Sequence, residues 1–296
     1  MLYDIGVRIT YSYDYPTDAG RHLLRLMPAD LPGEQRVIVG VLTPTPRPEE
    51  RTDRLDFFGN GTTEVGYRSA HEKIEFRVEA RVERLATPPR LDMSPPLSGM
   101  PRELSEIRDL SPWAPHHFLG ASPRVPIDPD ITAFAHALAD RNKTVREIAE
   151  SVGRQLHQEM RFDAGATTVD TPPTEAFQRR HGVCQDFTHI MISALRGIGI
   201  PAAYTSGFLR TIPPEGQQRL EGADAMHAWV RVWCGQETGW VEYDPTNALV
   251  VGQDHIVVAR GRDYSDVSPV KGVLRTYGEQ SSEQAVDVVP LDSVPA

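Results

Sequence analysis

The sequence predicts an α+β fold in which an antiparallel, β-rich N-terminal domain precedes a core built from helices first and antiparallel strands second. Residues 72–85 alternate apolar and charged side chains, a proline-rich stretch follows, and beyond Asp128 helical patterns give way to strands.

In EKIEFRVEARVERL (72–85), Ile74, Phe76, Val78, Ala80 and Val82 recur with period two, as for a strand with one buried face. QRVIVGVLT (35–43) reads as another strand, and Asn60-Gly61 in LDFFGNGTTEVGY as a hairpin turn, since both residues tolerate positive φ. Residues 1–86 are therefore expected to form the β-rich domain. Residues 87–127 lack sustained periodicity and are expected to be a linker draped over a surface, with a short helix near 101–110. The remaining 128–296 are expected to form the second domain. Asp128 suits a helix N-cap with Pro129 at the first position, and 129–140 and 144–160 carry helical patterns. A third helix begins near Cys184, and strands dominate from about 201 to 259.

Composition narrows the function. At 296 residues, with 40% hydrophobic and 24% charged residues, the chain can bury a substantial core. A net charge of -10 argues against a nucleic-acid-binding surface and against attraction to anionic membranes. MLYDIGVRITYSYDYP lacks the basic-then-apolar pattern of a signal peptide, and no apolar run approaches a membrane span. The two cysteines, Cys184 and Cys234, cannot supply a disulfide framework, so a reducing compartment, the cytoplasm, is expected.

Cys184 opens CQDFTHIMISALRGIGI (184–200). Helical spacing puts Phe187, Ile190, Met191, Ala194, Leu195 and Ile198 on one face, with Cys184 at its edge and Gln185, Asp186 and His189 elsewhere. A thiol at a helix start meets unpaired N–H groups and the positive end of the dipole, which favour thiolate. A backbone N–H there can also face a developing oxyanion. Asp186 opposes that effect and is expected to point away and serve the helix end. His189 lies about 140° around the axis from Cys184, so the base must come from elsewhere in the chain.

AMHAWVRVW (225–233) supplies it. Met226, Ala228, Val230 and Val232 form one face; His227, Trp229, Arg231 and Trp233 form the other. TGWVEYD (238–244) reads as the next strand, with Cys234-Gly235-Gln236-Glu237 as the loop. That loop would set Trp233 opposite Thr238 and His227 opposite Asp244, within reach of an imidazole–carboxylate hydrogen bond. Imidazole beside thiol, oriented by a carboxylate, is what nucleophilic sulfur chemistry requires: a base that becomes the acid, held in one tautomer.

The motifs GVCQDF (182–187), DAMHAWVRVW (224–233) and GWVEYDPTN (239–247), in the order Cys, His, Asp, resemble the transglutaminase-like superfamily of cysteine peptidases and acyltransferases over roughly 130–265. The tail GRDYSDVSPVKG (261–272) and the β-rich start resemble its bacterial two-domain members. The resemblance implies a papain-like core, with the cysteine helix packed on an antiparallel sheet. It also implies Cys184 as nucleophile, His227 as base, Asp244 as orienter, and amide chemistry through an acyl-enzyme. No metal and no cofactor are expected. Gln178 and Gln185 are the candidate oxyanion donors, and Trp229 and Trp240 the candidate walls of a substrate cleft; Cys234 is read as noncatalytic. Three functions remain open. The first is hydrolysis of a peptide or protein amide, the second acyl transfer to an amine, and the third noncatalytic peptide binding. An intact Cys, His and Asp weigh against the last. Oligomeric state is not legible.

Overall fold

The computed structural model describes residues 1–17, 19–86, 91–140, 142–211, 222, 224–275 and 277–291. Its first strands are β1 (Leu2–Thr17), β2 (Gly20–Leu24), β3 (Gln35–Thr45), β4 (Glu50–Leu55), β5 (Gly61–Tyr67) and β6 (His71–Arg84). The alternating set on β6, Ile74 to Val82, is buried and faces Tyr3, Ile5, Val7 and Ile9 of antiparallel β1 on one side of the sheet. Full burial of a side chain such as Phe76 contributes about 1.5–3 kcal/mol. The β4–β5 turn lies one step earlier than Asn60-Gly61. Gly59 carries the positive φ, 81°, and Gly61 already belongs to β5. The Asp56 carboxylate fixes this turn by accepting from Phe58 N, Asn60 N and Asn60 Nδ2, each at 3.0 Å.

The linker holds the expected short helix, α1 (Met100–Glu106), but it is not merely draped: Met100, Ala114, Phe118 and Val125 are buried. The core helices follow. In α2 (Pro129–Leu138), Asp128 Oδ1 accepts from Asp130 N and Ile131 N at 2.9 and 3.0 Å. In α3 (Val145–Glu159), Thr144 and Glu147 cap each other. Next come β7 (Arg161–Phe162), α4 (Pro173–Arg179), β8 (His181–Gly182) and α5 (Cys184–Gly197). Then β9 (Ala202–Leu209), β10 (Ala225–Trp233), β11 (Trp240–Asp244), β12 (Leu249–Val250) and β13 (His255–Gly261) form one antiparallel sheet in the order β12-β11-β10-β9-β13.

The α5 helix is buried on every side from Gln185 to Arg196, polar residues included. Their partners come from other elements. Ser193 Oγ donates to Pro126 O at 2.6 Å, and Arg196 to Ala202 O at 2.9 Å and Gly120 O at 3.1 Å. His189 Nε2 accepts from Tyr264 N at 3.2 Å. The helix is thus the hub of the core rather than an amphipathic lid.

The expected boundary of a second domain at 128–296 needs correction. After α6 (Tyr264–Val267), the chain returns to the first domain: β14 (Val270–Leu274) pairs with β2, and β15 (Gln280–Leu291) with β1. Two four-stranded sheets result, β15-β1-β6-β3 and β14-β2-β5-β4.

The core sheet is strongly curled. Three strand spacings separate β11 from β13, about 14 Å in a flat sheet. Yet Glu242 on β11 and Arg260 on β13 are joined at 2.8 Å, and Asp244 and His255 at 3.1 Å. Side-chain amides of the first domain occupy the outer edge of β13. Gln35 Oε1 accepts from Val257 N and its Nε2 donates to Val257 O; Asn60 does the same for Arg260, at 2.8–2.9 Å throughout. An edge that would otherwise offer free backbone groups is thereby closed.

Candidate active site

The β10–β11 hairpin differs from the expected register by two residues. Trp233 opposes Trp240, Arg231 opposes Glu242 and Val230 opposes Tyr243. The loop is Cys234–Gly239, longer than expected, because Gly235 and Gly239 both adopt positive φ (91° and 71°). It docks on the linker: Gln236 N donates to Glu103 Oε2 at 2.9 Å, and a Cβ on Gly235 would lie 2.6 Å from Pro95 Cδ. A two-residue shift preserves side-chain parity. His227 and Asp244 therefore share a face as diagonal neighbours rather than directly opposed ones. His227 Nε2 lies 2.7 Å from Asp244 Oδ2.

With Nε2 on the carboxylate, Nδ1 is the ring nitrogen left for sulfur, and Cys184 lies near enough to raise the pKa of His227. Burial opposes charge on this imidazole, but the hydrogen bond to Asp244 and the nearby Cys184 outweigh it and raise its pKa to about 10. Cys184 is half-buried at the first position of α5. Asp186, in the same first turn, turns away from the thiol: its Oδ2 accepts from Val183 N at 2.8 Å and Thr167 Oγ1 at 2.6 Å. Gly182 is required beside it, since a Cβ there would lie 2.5 Å from Asp186 Oδ2.

Asp244 is fully buried and accepts from five donors. Oδ1 takes Thr246 N at 2.9 Å and Asn247 N at 3.2 Å. Oδ2 takes His227 Nε2 at 2.7 Å, Asn247 Nδ2 at 2.7 Å and His255 Nε2 at 3.1 Å. Burial alone would raise its pKa; the hydrogen bonds from His227 and His255 and the charge of His227 hold it well below the usual carboxylate range. The ligand atoms of His227, Asp244 and His255 lie within 4.8 Å of one another, compact enough for a cation. An ionised carboxylate only accepts, however, so both Nε2 atoms must carry hydrogen and cannot ligate in this arrangement. The cluster is built as a hydrogen-bonded unit.

The structure separates the other sequence-derived candidates from this centre. Gln178 is exposed on α4. Gln185 Nε2 is engaged with Val169 O at 3.1 Å. Trp229 is fully buried inside the curled sheet, stacked near His227 and edge-on to His255, so it is no cleft wall. Trp240 sits at the far end of the hairpin, against Trp113, Phe118 and the Arg231 guanidinium. Both aromatics serve packing. The polar loop 212–225 just before His227, which its composition suits to admitting a peptide, lies mostly outside the described residues.

Sequence reasoning missed four neighbours. His255 and Asn247 bind Asp244 directly, and Asn247 was visible in the motif DPTN. Tyr204 and Tyr264 lie near Cys184; burial first, then that sulfur, raises the Tyr204 hydroxyl pKa, and burial raises that of Tyr264 against the opposing Arg124, with Asp170 and Cys184 adding less. The reach of a tyrosine from another strand or helix leaves no local signal.

The His227 pair has a pH signature. Its pKa is raised from 6.5 unfolded to about 10 folded, so its stabilisation is complete below pH 6.5 and is lost as pH rises through 10. Urea midpoints should fall across that window in the wild type and fall less in His227→Gln. Equal slopes in both would contradict the pairing.

Residues 132–245 match the transglutaminase-like superfamily, and residues 3–83 match the bacterial transglutaminase-like N-terminal region. Rv2569c of Mycobacterium tuberculosis is 33% identical over 277 residues, covering 87% of this chain and 83% of its own. ML0607 of Mycobacterium leprae is 28% identical over 286 residues, covering 95% and 96%. A Cytophaga hutchinsonii structure described as a candidate cysteine protease superposes with a TM-score of 0.77 at 20% identity, over 100% of this chain and 92% of that one, and shows the same fold. The chain belongs to the transglutaminase-like superfamily, with the bacterial N-terminal region preceding its core.

Proposed function

We propose that the protein cleaves a peptide or protein amide through an acyl-enzyme on Cys184, with water as the usual acceptor. The observation that carries this reading is Cys184 at the start of a buried helix, near a His227 whose Nε2 is hydrogen-bonded to Asp244. Cys184 sulfur attacks the carbonyl and its proton resides on His227, which passes it to the leaving amine. Water then attacks the thioester, His227 takes its proton, and the thiol is released with the acid. Asp244 holds the ring throughout. The first N–H groups of α5, which have no partner within the helix, face the developing oxyanion.

Water is favoured over an amine because a transferase needs a shielded, apolar acceptor site. The two tryptophans that would have supplied such walls are instead a buried packing residue and part of a distant aromatic cluster. Two free thiols, one of them buried, agree with a cytoplasmic location. Among the described residues no helix is long and apolar enough to cross a membrane.

Iodoacetamide near neutral pH should label Cys184 faster than Cys234, whose thiol pKa is pushed up by burial, and Cys184→Ala should abolish turnover of a peptide library. Equal labelling together with unchanged turnover would sink the catalytic reading. The same peptide donor with increasing amine decides the acceptor: amide product dominating at modest amine concentration, with little free acid, makes the protein a transferase.

A further inference from the structure

His255 stands at the start of β13, three strand positions from the β11 strand of Asp244, and lies outside the Cys184, His227 and Asp244 motifs in sequence. The curl of the sheet nevertheless brings its Nε2 to 3.1 Å from Asp244 Oδ2, the same oxygen that receives His227 Nε2 at 2.7 Å. His255 is 3% exposed, and its Nδ1 is buried with no hydrogen-bond partner among the described residues. That combination fixes the tautomer. Asp244 can only accept, so hydrogen sits on Nε2, and a second N–H at Nδ1 would be buried without an acceptor. The ring is further held by the edge of Trp229, 5.1 Å away, and by the Gln35 clamp on Val257, two residues along the strand.

We propose that His255 is a positioning residue of the thiol site, fixing Asp244 through a single Nε2–H bond so that the carboxylate presents Oδ2 to His227. The inference rests on the reading of Cys184 and His227 as the reacting pair. Asp244 Oδ1 is tied by Thr246 N and Asn247 N. Without His255, the donors left on Oδ2 are the His227 ring itself and Asn247 Nδ2, which follows Asp244 in the same turn. His255 is the only one of the five donors outside both the β10 histidine and that turn, and it ties the carboxylate to the opposite edge of the sheet. It also connects the site to the first domain, whose Gln35 holds β13 in place.

Three substitutions test this. Gln places an amide N–H near the position of Nε2, Asn places one near Nδ1, and Leu removes the donor. A hydrogen bond to a charged group corresponds to a loss of roughly 10- to 100-fold. His255→Leu and His255→Asn should therefore lose about that much kcat with KM little changed, while His255→Gln stays within a few-fold of wild type. The low-field imidazole N–H resonance of His227 should move in Leu and Asn and be restored in Gln. If Leu fails to fold, the Gln–Asn comparison decides alone. Equal kcat in Gln and Asn, whether both high or both low, overturns the proposal. Turnover surviving in Cys184→Ala would overturn the thiol reading itself; loss there, with wild-type kcat in His255→Asn, overturns only the role of His255.

Discussion

Asp244→Asn should retain the fold and lose turnover by about three to four orders of magnitude, as removal of the carboxylate does in serine triads. The change is isosteric but chemically mismatched. Asp244 accepts from five donors through two oxygens, and an amide offers one acceptor oxygen and two N–H groups. Either orientation sets an NH2 against donors that need an acceptor. The charge is lost as well. Burial already opposes protonation of His227, and the carboxylate is a principal reason that its pKa stands near 10. Without it, the His227 pKa should fall, with Cys184 left as the influence that opposes burial. Cys184 then has a weaker cationic partner, so iodoacetamide labelling should slow along with turnover. Wild-type turnover and labelling in this variant would remove Asp244 from the mechanism.

Local chemistry made much of the site readable. A cysteine at a helix start, a histidine on an alternating strand and an aspartate at the end of the next are recorded in spacing alone, and the fold hydrogen-bonds the last two. The hairpin register was misjudged because loop length depends on what the loop touches. Gly235 and Gly239 permit a longer turn, and Pro95 and Glu103 on a distant linker stabilise it. His255 was illegible for a related reason. It heads HIVVARG, a continuous buried run, where a lone histidine reads as packing. Only the curl of the sheet shows its target. The burial of the polar side of α5 left no local signal, because the carbonyls of Gly120, Pro126 and Arg262 that satisfy Ser193 and Arg196 lie far away in sequence. The return of β15 was obscured by QSSEQ at its start; its buried alternation is confined to Val286 and Val288.

Most of these misses lie at the seam where the core meets the β-rich domain or the linker. Gln35 and Asn60 hold β13, the linker holds the β10–β11 loop, and β14 and β15 bind the end of the chain to its beginning. The first domain thus helps to set the geometry of the site, and damage to the seam should reach the chemistry.

Glu242→Gln tests that connection and should destabilise the protein by about 3–5 kcal/mol, the cost of removing one partner from a buried ionic cluster. Glu242 lies two residues before Asp244 on the same face of β11. Its Oε1 accepts from Arg260 Nη2 at 2.8 Å and Arg260 Nε at 3.0 Å, and it lies 3.9 Å from Arg231 Nε; Arg84 of the first domain approaches Oε2 at 3.8 Å. Burial would raise the Glu242 pKa, but the three guanidinium groups hold it low. Glu34, also from the first domain, bonds Arg260 and lies 3.7 Å from Arg231, so two carboxylates balance three cations. Glutamine keeps the shape and removes the charge, leaving three buried arginines with Glu34 alone. The urea midpoint should drop sharply with an unchanged slope, since the same surface is exposed on unfolding. Pairing Glu242→Met with Arg260→Met should recover part of the loss, because an apolar pair leaves fewer uncompensated charges. An unchanged midpoint in Glu242→Gln would show that the cluster contributes no stability. A lowered midpoint with full turnover at 15 °C, where the variant remains folded, would show that the seam stabilises the molecule without shaping the site.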